Sequence, residues 1–149
     1  FELHRVVRAT ADNPAVDIDS VGRTLTMLDR TGGDHIVEAG LPVGGTVEAM
    51  RASALLAASR AATDPYDREH VTPFLKRGAF TSIPVLATGR LRRPNLRLTV
   101  DTADDLAWMQ RLCDAMPRDL FPASLARFIE AADRVRRAPD NGSEMREVR

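Results

Sequence analysis

Residues 96–109 constrain the fold of this chain more than any other part of the sequence. Apolar residues alternate with polar ones over 96–100, a period-two pattern typical of a half-buried strand. The strand runs into Asp101, and Thr102 together with Asp105 has the spacing of a capping box at a helix N-terminus. Open α/β sheets bind ligands at the carboxyl ends of their strands, beside helix N-termini. Asp101 is therefore the first candidate for a ligand-binding carboxylate.

Length and composition exclude several classes of protein. The 149 residues suffice for one domain with a real core, and 21 basic residues balance 21 acidic ones. This balance gives no electrostatic footprint for nucleic acid or for an anionic membrane surface. Cys113 stands alone, so we expect a packing residue and neither an intrachain disulfide nor a cysteine metal cluster. No apolar run has the length of a membrane span or the pattern of a signal peptide, so we expect a cytoplasmic protein.

Strand and helix patterns alternate along the chain. We predict a helix that Asp17 or Asp19 caps and that ends at Gly32-Gly33. The other predicted elements are strands at 5–10, 35–38, 46–50, 82–87 and 96–100 and helices at 53–62, 66–77, 103–116 and 122–137. The alternation predicts a three-layer α/β/α fold with a largely parallel sheet. Residues 1–137 would form the domain part, and the polar tail at 138–149 is predicted to be disordered.

Asp12 and Asp101 each follow a predicted strand at the same edge of that sheet. Two converging carboxylates can hold Mg²⁺, which takes one or two protein carboxylates plus phosphate oxygens of a substrate. Such an ion would neutralise charge on a triphosphate during an in-line displacement. The alternative is that Asp12 caps a turn and Asp101 caps a helix, and the spacing leaves both interpretations open.

Residues 64–73 form a second cluster, at a junction between a loop and a helix. Arg68, Glu69 and His70 bring a guanidinium, a carboxylate and an imidazole together, a set suited to a sugar or a phosphate. The alternative is a helix start that Asp64 or Asp67 stabilises. The remaining histidines, His4 and His35, lie in or beside strands and fit a structural role. The sequence contains neither a GxGxxG dinucleotide fingerprint nor a GxxxxGK[ST] phosphate loop.

Four segments in a fixed order carry a family resemblance. They are 7–14 (VRATADNP), 40–48 (GLPVGGTVE), 64–73 (DPYDREHVTP) and 97–106 (RLTVDTADDL). This set resembles the cytidylyltransferase-like proteins of spore-coat polysaccharide biosynthesis, which are relatives of the enzymes that make CMP-activated acidic sugars. The resemblance covers residues 3–141. It implies a nucleotide-diphospho-sugar transferase fold, Rossmann-like, and transfer of CMP from CTP to a sugar hydroxyl with Mg²⁺ and release of pyrophosphate.

The resemblance also implies roles for particular residues. Asp12 matches the aspartate of the family's Gly-Asp-x-Pro segment and Asp101 that of its Val-Asp-Thr segment, so both would be catalytic metal ligands. Ala11 stands where the family has glycine. Six residues fall in motifs around the acceptor pocket and would bind substrate. They are Arg8, Asn13 (where the family has cysteine), Glu48, Arg68, Glu69 and His70.

The chain departs from the family pattern in one respect. Nothing in it matches the Leu-x-Ala-Arg-x-Gly-Ser-x-Arg-Leu-Pro-Gly-Lys loop that holds the triphosphate and reads cytosine. We therefore expect a fragment, the C-terminal part of a nucleotidyltransferase domain, that does not bind CTP productively or catalyse the reaction by itself. We also expect the strand at 5–10 to have an unpaired edge, which makes a homodimer a candidate assembly. Two other interpretations stay open, a non-catalytic module that binds a sugar or a partner chain and a nucleotidyltransferase for a non-sugar acceptor.

Overall fold

A computed structural model describes residues 2–77, 79–117 and 122–137. Its strands are β1 (Arg5–Arg8), β2 (His35–Ala39), β3 (Glu48–Arg51) and β4 (Ser82–Leu86). Its α-helices are α1 (Ile18–Thr31), α2 (Ala52–Ala61), α3 (Pro65–His70), α4 (Ala103–Asp114) and α5 (Leu125–Arg137), and single 3₁₀ turns cover Pro73–Lys76 and Gly89–Leu91. None of the helices in these ranges combines the length and the apolar character that crossing a membrane requires. The polar tail predicted at 138–149 lies outside the described residues.

The four strands form one sheet in the order β1-β3-β2-β4. Strands β1, β2 and β4 point the same way and β3 runs against them, so β3 pairs antiparallel with both neighbours and only β2 and β4 pair in parallel. The prediction of a largely parallel sheet is therefore wrong for the pairing, because the short connection between β2 and β3 returns the chain to the adjacent position. Strand β1 lies at an edge of this sheet, as the sequence predicted.

The two faces of the sheet differ in what covers them. Register partners Val7, Ala49, Ile36 and Ile83 form an apolar row that packs with Leu28 of α1. On the opposite face, Met50 packs with α2 and the 3₁₀ turn that follows α3. Helix α1 ends at Gly32, whose φ of +68° is the left-handed conformation that glycine adopts without strain. The predicted glycine stop is confirmed.

The predicted strand at 96–100 is extended but does not join the sheet. One isolated bridge links Arg97 to Val43, and Leu98 N–H donates to the Val43 carbonyl at 2.7 Å. Two further backbone hydrogen bonds hold the segment, from Val43 N–H to the Leu96 carbonyl and from Val100 N–H to the Asp12 carbonyl, both at 2.8 Å. The backbone hydrogen bonds of this segment are thus made with loops. A period-two pattern predicts an extended segment but not its hydrogen-bond partners. The segment still delivers Asp101 to the start of α4.

Helix α4 begins with the predicted capping box. The Thr102 hydroxyl accepts from Asp105 N–H at 3.2 Å, and Asp105 Oδ2 accepts from Thr102 N–H at 3.0 Å. Helices α4 and α5 pack together and share the largest apolar cluster, with Leu98, Leu112 and Leu125 wholly or almost wholly buried. Cys113 is half-buried against this cluster, in agreement with a packing role.

The predicted helix at 66–77 is interrupted. It divides into α3 and the 3₁₀ turn at Pro73–Lys76, and Val71 between them has a φ of +68°. Helix α3 ends because Val71 leaves the helical conformation, whereas Thr72, the residue before Pro73, is helical again with φ of −96° and ψ of −15°. Thr72 N–H donates to the His70 carbonyl at 2.7 Å, so the chain makes a tight turn over three residues.

Candidate functional site

A polar cavity of about 420 Å³ opens at the carboxyl ends of β1 and β2. We call it the Glu48 pocket. It lies where α/β sheets bind ligands, although its sheet is mixed. The residues that line it are Arg8, Thr10, Asn13, Val37, Val43, Gly44, Thr46, Glu48, Tyr66, His70, Thr72, Pro73 and Lys76.

Glu48 is the centre of the charges in this pocket. Its carboxylate receives Lys76 Nζ at 2.6 Å and an Arg8 guanidinium N–H at 3.2 Å, and His35 Nε2 lies 3.5 Å from its Oε1 atom. Burial by itself raises the pKa of Glu48, but the polar contacts of His35, Lys76 and Thr72 outweigh it and lower the pKa to about 2. Glu48 is therefore a fixed anion, and two half-exposed cations share it.

Gly44 shapes the wall of the pocket and ties it to the segment that carries Asp101. Its φ is +90°, and a Cβ atom built there would lie 2.7 Å from Thr99 N and 2.8 Å from the Leu98 carbonyl carbon. Only glycine lets the backbone at 43–45 approach the 97–99 segment this closely. On the neighbouring wall, Asn13 is held by its own turn, since its side-chain N–H donates to the Thr10 hydroxyl at 2.6 Å.

Helix α3 supplies the outer rim of the pocket. The Asp64 carboxylate accepts from Tyr66 N–H at 2.8 Å, so of the two residues considered for stabilising this helix start, Asp64 is the one that caps it. The rings of Tyr66 and His70, one helical turn apart, pack with their centroids separated by 4.3 Å and their planes tilted by 59°. The strained turn at Val71 then reverses the chain, and the side chain of Thr72 returns to Glu48.

Asp12 and Asp101 lie at a second place, which we call the Asp12–Asp101 corner. The Asp12 carbonyl accepts from Val100 N–H at 2.8 Å, and the next residue along is Asp101. Both side chains are exposed, and Arg97 contacts Asp101 at 2.5 Å. Arg97 also grips Asp105 through two N–H groups at 2.7 and 3.0 Å, and this contact lowers the pKa of Asp105.

The corner contains the two carboxylates of the predicted Mg²⁺ site, and Arg97 pairs with one of them, Asp101. Its exposed groups are carboxylate oxygens, the ligand type that Mg²⁺ prefers. Among the residues that the structure describes, no three His, Cys, Asp or Glu side chains gather into a group that could hold a metal ion. The prediction needs only the carboxylates of Asp12 and Asp101 with phosphate oxygens of a substrate, so it is not tested by this finding and stays a prediction.

The structure brings four of the six predicted substrate-binding residues together and places the other two elsewhere. Arg8, Asn13, Glu48 and His70 all line the Glu48 pocket. Arg68 instead lines a second cavity of about 220 Å³ between α2 and α3, and exposed Glu69 lines neither of these two cavities. Because α3 is a single short helix, residues 66 and 70 share one face and residues 67 and 68 turn to the other.

Several pocket residues were missed by the sequence reasoning. Thr10, Thr46, Tyr66, Thr72 and Lys76 all line the Glu48 pocket. Two features of the sequence could have indicated some of them. Tyr66 and Thr72 lie within the 64–73 motif, and Lys76 is the only lysine in the sequence.

A third cavity lies on the opposite face of the sheet. Its volume is about 530 Å³, and α1, β2 and β4 form its mainly apolar walls. One edge holds what we call the Arg23 cluster. In it, Arg23 contacts Asp17 at 2.5 Å and Glu38 at 2.9 Å, and the Ser20 hydroxyl also donates to Glu38. Asp17 precedes α1 as predicted, but its carboxylate binds Arg23 and does not cap the helix.

Comparisons with known proteins agree with this architecture. No protein-family model matches the chain. An uncharacterized protein of Methanocaldococcus jannaschii is 30% identical over 102 residues, which are 67% of this chain and 42% of that protein. The spore coat polysaccharide biosynthesis protein SpsF of Bacillus subtilis is 34% identical over 108 residues, 67% of this chain and 43% of SpsF.

A solved structure gives the fold. A cytidylyltransferase from Leptospira borgpetersenii superimposes with a TM-score of 0.76 and 20% identity, covering 89% of this chain and 57% of that one. The chain thus spans less than half the length of the two sequence relatives. Together these similarities confirm the resemblance: the chain belongs to the cytidylyltransferase family of spore coat polysaccharide biosynthesis proteins and has its nucleotide-diphospho-sugar transferase fold.

Proposed function

We propose that this chain forms the acceptor-binding and metal-binding part of a cytidylyltransferase. The complete enzyme would transfer CMP from CTP to a sugar hydroxyl with Mg²⁺ and release pyrophosphate, in the cytoplasm, for a surface polysaccharide or glycan. The relatives support this proposal by what they are called, a spore coat polysaccharide biosynthesis protein and a cytidylyltransferase.

One observation carries the proposal. Three of the four segments with the family resemblance, 7–14, 40–48 and 64–73, all contribute to the wall of the Glu48 pocket. The fourth, 97–106, is bonded to the first through Val100 N–H and the Asp12 carbonyl, beside that wall. Segments this far apart in the sequence would have no reason to meet around one polar cavity if each only capped a helix or a turn.

The pocket residues can bind and orient a sugar. Glu48 is an anion fixed by Lys76 and Arg8 and would accept a hydrogen bond from a sugar hydroxyl. Arg8 and Lys76 have further N–H groups to donate, and the Tyr66 ring offers a face for the apolar side of a sugar. Asp12 and Asp101 would hold the Mg²⁺ ion, which neutralises charge on the triphosphate when it is bound. Positioning of this kind supplies much of the rate of a displacement that needs no covalent intermediate.

The direct test is pyrophosphate release. A longer protein that joins this chain to a nucleotide-binding half is assayed with CTP, Mg²⁺ and a panel of sugars. We expect release with at least one sugar and a loss of about 100-fold or more in Asp12→Asn and Asp101→Asn, because either change removes a charged metal ligand. Asp114→Asn, at the exposed end of α4, is the matched control and should retain activity. Equal activity in all three variants would refute the metal site.

The 149-residue chain by itself allows a second test. We expect no productive CTP binding, because no segment of the sequence matches the triphosphate loop. Isothermal titration with CTP and Mg²⁺ measures this directly, and micromolar binding would overturn the expectation.

A second candidate function is a non-catalytic module that binds a sugar. The favouring observations are that the Glu48 pocket has polar groups suited to a sugar, whereas no segment of the sequence matches the triphosphate loop. Under this candidate the chain binds a sugar, and the longer protein releases no pyrophosphate with any sugar of the panel.

A further inference from the structure

A row of polar side chains crosses all four strands beneath the Glu48 pocket. Ser82 of β4 and His35 of β2 are register partners, and so are Glu48 of β3 and Arg8 of β1. His35 pairs with Met50, two residues from Glu48, so His35 and Glu48 are diagonal neighbours on the same face of the sheet. The row therefore runs from Ser82 at one edge of the sheet to Arg8 at the other.

His35 is the least accessible member of this row. Its side chain has no exposure to solvent. Nδ1 lies 2.8 Å from the Ser82 hydroxyl, while Nε2 has no hydrogen-bond partner in the described residues and faces Glu48 Oε1 at 3.5 Å. This separation is a few tenths of an ångström longer than a good hydrogen bond. A buried ring nitrogen without any partner costs free energy, so the approach to Glu48 needs an explanation.

The groups beside the His35 ring determine which of its nitrogens has to carry a hydrogen. An ionised carboxylate can only accept, so the Nε2 atom that faces Glu48 has to be the N–H side of the imidazole. The Ser82 hydroxyl can serve Nδ1 either as donor or as acceptor, so its contact at 2.8 Å fits the ring whether or not Nδ1 carries a proton. In either case Ser82 orients the ring so that an N–H group at Nε2 faces Glu48.

The other face of the same strands shows that a polar row is not a requirement of the sheet. There the register partners are the apolar residues Val7, Ala49, Ile36 and Ile83. A histidine in place of an apolar residue carries a desolvation cost, and its favourable polar contacts are those with Ser82 and Glu48. The placement therefore favours a role toward Glu48 over simple filling of space.

We infer that His35 is a positioning residue of the Glu48 pocket. Ser82 orients the His35 ring, and the ring holds the Glu48 carboxylate in place from the side of the sheet. With Oε1 fixed by His35 and Lys76, the Oε2 atom and Arg8 keep one orientation toward the cavity. A ligand hydroxyl would then meet an acceptor that is already aligned. That the ligand is a sugar rests on the proposed function, whereas the role of His35 toward Glu48 does not.

The test measures the Glu48 carboxyl group itself, in the 149-residue chain without any ligand. The side-chain carboxyl ¹³C signal of Glu48 is followed by NMR as the pH is lowered in the wild type, His35→Gln and His35→Asn. A glutamine amide can reach as far as Nε2, whereas an asparagine amide is shorter and reaches only toward Ser82. We expect His35→Gln to keep the low midpoint of the wild type and His35→Asn to raise it by about one pH unit or more. His4→Asn, at an exposed histidine, is the matched control and should leave the midpoint unchanged.

Two results would overturn the inference. One is a His35→Asn midpoint equal to that of the wild type, and the other is an equal rise in His35→Gln and His35→Asn. If His35→Asn does not fold, Ser82→Ala is compared with the wild type, because loss of the orienting hydroxyl should raise the midpoint in a folded protein; an unchanged midpoint then counts against the inference. None of these readouts depends on catalysis, so failure here and failure of the pyrophosphate assay are distinct.

Discussion

Glu38 and Glu48 lie on neighbouring strands and are equally buried, with 7% exposure each, yet their surroundings are opposite in charge. In the Arg23 cluster one base sits between two acids, Asp17 and Glu38. In the Glu48 pocket one acid sits between two bases, Arg8 and Lys76. The first set has an excess of one negative charge and the second an excess of one positive charge.

The difference shows what distinguishes a structural ion pair from a candidate site. Arg23 grips Glu38 through two N–H groups at 2.9 and 3.0 Å and ties α1 to the sheet, and its contacts with both acids raise its pKa. Glu48 is held by two side chains that are themselves partly open to solvent, with exposures of 32% for Arg8 and 47% for Lys76. Neither the burial of the acid nor the exposure of its partners separates the two sets, since Arg23 is itself 41% exposed. The balance of charge does separate them, because the Glu48 pocket has an excess of positive charge and the Arg23 cluster an excess of negative charge.

The largest expected effect on stability comes from replacing a glycine by alanine near each of the two sets, Gly44 in the wall of the Glu48 pocket and Gly22 in α1 beside the Arg23 cluster. Gly44→Ala should lower the free energy of unfolding by about 3 kcal/mol, because its φ is +90° and the new Cβ would meet the backbone of Leu98 and Thr99. Gly22→Ala, in α1 with open space around it, should raise it by about 0.5–1 kcal/mol. Urea denaturation measures both. Equal effects of the two substitutions would mean that the 43–45 turn does not hold the wall of the pocket.

The next effect concerns acid stability. The pKa of Glu48 falls from its ordinary 4.5 to about 2 in the folded protein, so its ionised form stabilises the fold fully above pH 4.5. This contribution is lost as the pH falls through 2. Glu48→Gln should therefore be less stable than the wild type by about 2 kcal/mol at pH 7, and the difference should close between pH 4.5 and 2. Unfolding curves for both proteins across this range measure it, and a constant difference at every pH would contradict the charge account.

The smallest effect is expected at Val71, the one non-glycine residue with positive φ in the described chain. Val71→Gly should relieve the backbone strain, but glycine also gives the unfolded chain more conformational entropy. We therefore expect a net rise of about 0.5 kcal/mol in the free energy of unfolding. Val71→Ala keeps most of the strain and loses side-chain contacts, so it should be less stable than Val71→Gly. Thermal unfolding ranks the two, and the reverse order would show that the turn is unstrained.

The sequence predicted local features well where local chemistry decides them. The Thr102 capping box and the Gly32 stop depend on residues within a few positions of one another, and both are confirmed. The pairing of the sheet and the fate of the 96–100 segment depend on tertiary contacts, and there the predictions are wrong. A period-two pattern shows that a segment is extended, but not which strand or loop receives its hydrogen bonds.

The site could be predicted only through the family resemblance. Glu48 lies in a segment with no chemical motif of its own, and its partners Arg8, His35 and Lys76 come from three other places in the chain. Arg68 and His70 are two residues apart, and no local rule shows that they face different cavities until the bounds of α3 are known.

The most direct test of the central claim is sugar binding by the 149-residue chain, followed through its backbone amide NMR signals. Neutral hexoses, amino sugars and sugar acids are titrated into the wild type, Glu48→Gln and Glu38→Gln, a pair matched in residue type and burial. We expect at least one sugar to shift the Gly44, Thr46 and Thr72 amides. Glu48→Gln should weaken its binding about tenfold or more, while Glu38→Gln should change it less than about twofold. Equal weakening by both substitutions, or no shift of these amides by any sugar, would contradict this expectation.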